Sequence, residues 1–169
     1  DWHAFLTESY RRLESEIGSR GFFEGVPLDE VNEGVLEYHP ALSPVGKKLA
    51  YLTSEKQDYA ITALKIYDFE TGEKTKLKGS VSTRMSWSPD GECIVYRGRG
   101  GIWVMNRDGS GNQLLFEAKD IIDPVFSHDG RRILFNWFRD GESFIYSVDA
   151  TTGGDPILLP LFPAASTAT

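Results

Sequence analysis

The sequence predicts an all-β fold of three four-stranded units in series, preceded by one amphipathic α-helix. Three observations carry this reading. The stretch Arg84–Gln113 alternates short apolar runs with Pro/Asp/Gly turns. The chain writes that stretch three times, at a period of roughly 40 residues. Ahead of the repeats, apolar residues fall at helical spacing over positions 1–18.

The helix comes first. Trp2, Leu6, Tyr10, Leu13 and Ile17 recur at spacings of four and three, with Phe5 beside them, so they form one stripe. Arg11, Arg12, Glu14 and Glu16 fall elsewhere, and Gly18 sits where a helix C-cap belongs. Such a helix either packs against an edge or the bottom of the β-structure, or serves as a docking or dimerisation element, or is the tail of a preceding domain. Gly18–Gly21 reads as a hinge. The segment 19–37 is irregular, interrupted by Gly25, Pro27 and Gly34, and is expected to cover a sheet edge.

The repeats occupy positions 38–160, divided at about 38–80, 81–119 and 120–160. Pro40–Tyr51 lies over Met85–Tyr96, and both lie over Pro124–Phe135. The second halves agree as well: Leu64–Gly72, Ile102–Gly109 and Ile145–Gly153. Ser88-Pro89-Asp90-Gly91 predicts a tight turn, because proline presets φ and Asp-Gly suits the geometry that follows. Val45 stands where the first copy wants Asp, and His128 replaces the turn proline in the third. Positions 161–169 are small and polar after Phe162, and read as a frayed tail. A four-stranded unit of this period has the size of one propeller blade.

Ser86-Trp87-Ser88-Pro89-Asp90-Gly91 followed by Ile102-Trp103-Val104-Met105-Asn106 resembles the TolB-type β-propeller repeat, a relative of the WD-repeat blade. The resemblance covers roughly Tyr38–Leu159. It implies a six-bladed propeller, of which three blades are half, and a setting in the bacterial envelope, hence the periplasm. Three blades leave two apolar faces open, so either the chain is part of a longer propeller or two copies pair into a six-bladed homodimer.

Composition narrows the function. Forty per cent hydrophobic residues in 169, with abundant Trp, Tyr and Phe, fit a packed β-protein. A net charge of -7 disfavours nucleic acid or an anionic membrane as partner. No apolar run reaches the roughly 20 residues of a membrane span, so no membrane insertion is expected. The single cysteine, Cys93, falls in a buried strand pattern and reads as a small core residue.

Several motifs invite chemistry. Asn106–Glu117 nearly matches calcium-loop spacing, but it coincides with the repeat's own closing turn and lacks flanking helices. Arg97–Gly101 is better explained as a hairpin tip than as a nucleic-acid segment. His3, His39 and His128 are scattered, and Ser43, Ser88 and Ser127 lie in turns rather than in a nucleophile elbow. Asp120, Asp123 and Asp129 cluster near the third blade and read as loop carboxylates. No cofactor, metal or catalytic residue is therefore expected. Asp68, Asn106 and Asp149 hold equivalent positions and read as a repeated turn cap. The aromatic residues Trp103, Trp137, Phe138 and Tyr146, with Arg139, are the expected protein-binding residues, because Trp, Tyr and Arg dominate interface hot spots. The expected function is a non-enzymatic protein-interaction scaffold. The alternatives are a propeller portion of a larger enzyme, such as a peptidase or carbohydrate lyase, or a small-ligand or ion-binding propeller.

Overall fold

The computed structural model describes residues 2–19, 28, 36–55, 62–79, 81 and 84–160. Most of the expected edge segment, the tip of the first hairpin after Glu55 and the tail 161–169 lie outside the described residues. The chain divides into two compact units, Asp1–Glu33 and Gly34–Thr169. The first contains α1, Trp2–Ser19. Its Trp2 and Phe5 rings stack at 5.7 Å, and Trp2, Phe5, Tyr10 and Leu13 are all exposed. The last turn is closed by Ser19, whose hydroxyl donates to the Glu16 carbonyl at 2.8 Å.

The second unit contains three antiparallel sheets, each of four strands in sequence order among the described residues. Blade 1 is β1 (Glu37–Leu42), β2 (Lys48–Thr53), β3 (Ala63–Asp68) and β4 (Lys74–Gly79). Blade 2 is β5 (Met85–Trp87), β6 (Cys93–Gly98), β7 (Gly101–Asn106) and β8 (Gln113–Glu117). Blade 3 is β9 (Ile121–Phe126), β10 (Arg132–Arg139), β11 (Glu142–Asp149) and β12 (Gly153–Leu158). β5 lies between β1 and β9, which makes the first strands one series.

The turn joining the first two strands is built the same way in every blade. The Ser43, Ser88 and Ser127 amides donate to the Lys48, Cys93 and Arg132 carbonyls at 2.8, 2.9 and 2.8 Å. Their hydroxyls accept from the Lys48, Cys93 and Arg132 amides at 3.0, 2.9 and 3.0 Å. In blades 2 and 3 the serine also donates to Asp90 at 2.5 Å and Asp129 at 2.6 Å. Each carboxylate in turn accepts the amide two residues on, Glu92 at 3.0 Å and Arg131 at 3.1 Å. These bonds, the serine hydroxyl's first, hold both carboxyls below the usual aspartate range. Blade 1 has Val45 there, so it keeps the serine bonds without the carboxylate's.

Side chains alternate across a strand, so paired residues share a face. Ala50 pairs with Ile66 and Leu52 with Leu64, and these four present blade 1 to blade 2. They are buried against Ile94, Tyr96 and Met105 of blade 2, with Met85 and Trp87. The opposite face of blade 2, Val95 with Val104 and Ile102, is buried against Ile133, Phe135 and Val148 of blade 3. Polar contacts follow the same seams. The Trp87 indole donates to the Ala41 carbonyl at 2.9 Å, and the Phe126 amide donates to the Ser86 hydroxyl at 3.4 Å. The turns also stack: Pro44 lies against Gly91 and Pro89 against Gly130.

Gly153, at φ 73°, marks a close approach of blades 2 and 3. A Cβ there would sit 2.1 Å from the Leu115 carbonyl oxygen of β8. Gly141, at φ 83°, has open space around it. Gly141→Ala should therefore cost only the left-handed backbone energy, about 1–2 kcal/mol. Gly153→Ala should cost at least about twice that, because the β8 backbone must move. Urea denaturation of the two variants checks this; equal losses would contradict the seam.

Candidate functional site

The β10–β11 hairpin is the longest in the chain among the described residues, and it gathers most of the expected binding residues. Its two-residue tip, Asp140-Gly141, has φ of 53° and 83°. Positive φ at both positions is what a primed hairpin turn requires, and Asp-Gly supplies it. The tip sets the register Phe135↔Tyr146, Trp137↔Phe144 and Phe138↔Ser143.

That register separates adjacent residues. Trp137 and Arg139 share the face turned toward blade 2, whereas Phe138 lies on the other. Trp137 and Tyr146 are half-buried, with ring centroids 5.2 Å apart at 67°. Phe116 of β8 meets Trp137 edge-on at 5.7 Å, and Phe135 lies 5.5 Å from Phe116. The Arg139 guanidinium stands 4.8 Å from the Trp137 ring centroid, within cation–π reach. Trp137 and Tyr146 thus pack against the core of the blade 2–blade 3 seam, while Phe138 is 45% exposed. Trp103 is elsewhere. It packs half-buried against the blade 1–blade 2 core and donates its indole N–H to the Arg99 carbonyl at 3.1 Å. It also lies over Gly98, where a Cβ would come within 2.6 Å of it. Phe116 and Phe135 carry no motif of their own in the sequence. Phe135 was visible as the third-blade counterpart of Tyr51 and Tyr96.

The other motifs resolve into turns. Asp108 accepts the Ser110 amide at 2.9 Å and its hydroxyl at 2.6 Å, while the Asn106 amide group donates to the Ser110 hydroxyl at 2.9 Å. The Asn106–Ser110 loop is therefore closed on itself. Asp68 and Asp149 cap equivalent turns, accepting the Glu70 amide at 2.8 Å and the Thr151 and Thr152 amides at 2.9 and 2.8 Å. Asn106 departs from that pattern, since Asp108 takes over the capping role. Cys93 packs against the second core, and burial pushes its thiol up. A cavity of about 520 Å3 between blades 1 and 2 is lined by charged groups that pair with one another, Lys48 with Asp68, Lys47 with Glu70 at 2.7 Å and Arg107 with Glu92 at 3.1 Å. No group of three or more His, Cys, Asp or Glu suited to a metal occurs among the described residues.

No family model and no curated protein matches the chain in sequence. Solved structures do match. TolB from Acinetobacter baumannii superposes with a TM-score of 0.61 at 23% identity, over 73% of this chain and 32% of that one. The fold is that of a TolB-like β-propeller. The propeller domain of the Trilobed protease from Pyrococcus furiosus has a TM-score of 0.62 at 19% identity, covering 77% of this chain and 44% of its own. An oligogalacturonate lyase in complex with manganese has a TM-score of 0.58 at 19% identity, over 72% and 37%. The chain thus spans between 32% and 44% of the length of these three structures.

Packing predicts opposite outcomes for two neighbouring aromatics in this TolB-like blade. Trp137→Ala should cost about 3 kcal/mol, since it opens the aromatic cluster. Phe138→Ala, measured at a dilution where one copy stands alone, should stay within about 0.5 kcal/mol. Urea midpoints of the two variants decide it; comparable losses would contradict the assigned faces.

Proposed function

We propose that this chain is a non-enzymatic, TolB-like propeller module that serves as a protein–protein interaction scaffold in the bacterial envelope, in the periplasm. The observation that carries the reading is the outward face of blade 3. On blades 1 and 2 the corresponding face is covered by the next blade. On blade 3 it carries Leu134, Asn136, Phe138 and Ile145, with Arg132 over the buried Ser147, and none of these belongs to either described core. Exposed Phe138 beside half-buried Leu134 and Ile145 forms an apolar centre with polar surroundings, the composition of a partner surface. The serines that could suggest a nucleophile spend their hydroxyls on turn backbone. No helix among the described residues is long and apolar enough to cross a membrane.

The partner to test first is a second copy, because three blades are half of the six that a TolB-like propeller implies. A second reading, the propeller portion of a larger enzyme, is favoured by the likeness to the protease and lyase structures.

Light scattering across a dilution series tests the scaffold reading in its homodimeric form. The expected result is a mass near twice 18.9 kDa that falls to one copy in Phe138→Asp. A folded monomer at every concentration would overturn pairing of two copies.

A further inference from the structure

His39, Arg84 and Asp123 each stand four residues before the turn serine of their blade, one equivalent position in all three repeats. His39 is in β1, Asp123 in β9, and Arg84 immediately precedes β5, which lies between those two strands. The three blades therefore carry a basic or acidic side chain at the same level of the first-strand series.

The backbone at this level is unusual. His39 and Asp123 have φ of 53° and 51°, left-handed for residues that are not glycine, and each is followed by proline. Both fall at breaks in the ladder. Register slips between Tyr38 and Ala41 in blade 1, and on β10 between Leu134 and Asn136, which pair with Val125 and Ile122 around Asp123. Bulges of this kind re-aim side chains, and strained backbone of this kind clusters at ligand sites.

His39, Pro40, Arg84 and Met85 line one cavity of about 250 Å3 between β1 and β5. Among the described residues no hydrogen bond or ion pair engages the Arg84 guanidinium. His39 meets the Tyr38 ring edge-on at 5.0 Å. An uncommitted guanidinium offers two parallel N–H groups in a fork that matches a carboxylate, and an imidazole beside it supplies a further donor. Pro40 and Met85 furnish apolar wall for a short carbon chain. The cavity is below the volume of sites for drug-sized ligands, so it suits a molecule of a few heavy atoms. Both walls come from blades 1 and 2 of this chain, so the site does not depend on closing a ring.

We propose that this cavity binds a small carboxylate, with Arg84 as the fork and His39 as the second donor. Asp123, on the far side of β5, does not line the cavity.

Titration of acetate and succinate into the full chain, followed by amide NMR at constant ionic strength, tests this. The expected result is saturable shifts centred on His39 and Met85, at millimolar concentration. Arg84→Ala should weaken binding roughly tenfold or more, as loss of a charge-assisted pair requires. Arg84→Lys should recover little, because it restores charge without the fork. Arg84 is exposed, so circular dichroism of these variants should match the parent. Absence of saturable shifts, the same shifts with chloride, or unchanged binding in Arg84→Ala would each overturn the proposal.

Discussion

The central strands of blade 2 are apolar on both faces, so that blade cannot stand in water unless its neighbours cover it. Ile94, Tyr96 and Met105 face one way and Val95, Ile102 and Val104 the other, and all are buried. Removing either neighbour would expose several such side chains, each stabilised by about 1.5–3 kcal/mol of burial. A total of that order exceeds what a single four-stranded sheet can muster. The three blades are therefore stable only as a stack.

Stacking demands that every blade present its faces at the same height and tilt, and the serine turns supply that repeatability. One hydroxyl and one glycine at positive φ fix the entry to β2, β6 and β10 alike. The turns then touch one another, Pro44 on Gly91 and Pro89 on Gly130. The third turn has His128 where this series has proline, on the side where the described structure has no further blade. On the same side Arg132 donates to the Ser147 hydroxyl and carbonyl at 2.8 and 2.9 Å, in the place where blades 1 and 2 bury Ile66 and Val104. Blade 3 thus presents a more polar face than its siblings.

The repeat made much of this fold legible. Turn chemistry at Ser88–Gly91 and apolar runs such as Cys93–Tyr96 are local signals, and three copies averaged out their departures. The face that each aromatic occupies was less legible. Trp137, Phe138 and Arg139 are consecutive, and only the Asp140-Gly141 turn and the neighbouring blade decide that Trp137 turns to Phe116 with Arg139 over its ring, while Phe138 turns outward. Trp103 looks equivalent to Tyr146 by sequence, yet it lies in a different seam because its blade has a different predecessor. The His39, Arg84 and Asp123 series was hidden for another reason. Its members share no chemistry, and left-handed backbone at His and Asp leaves no glycine to mark it, although both residue types enter that region more readily than most.

The claim on which the rest depends is that the three blades hold one another up. Native-state hydrogen exchange at increasing urea measures it directly, amide by amide, in β6, β7, β10 and β11. If the stack is the stable unit, the most protected amides of blades 2 and 3 open with one common free energy and one common urea dependence. Separate openings, with blade 3 exchanging at lower urea while blade 2 stays protected, would contradict it.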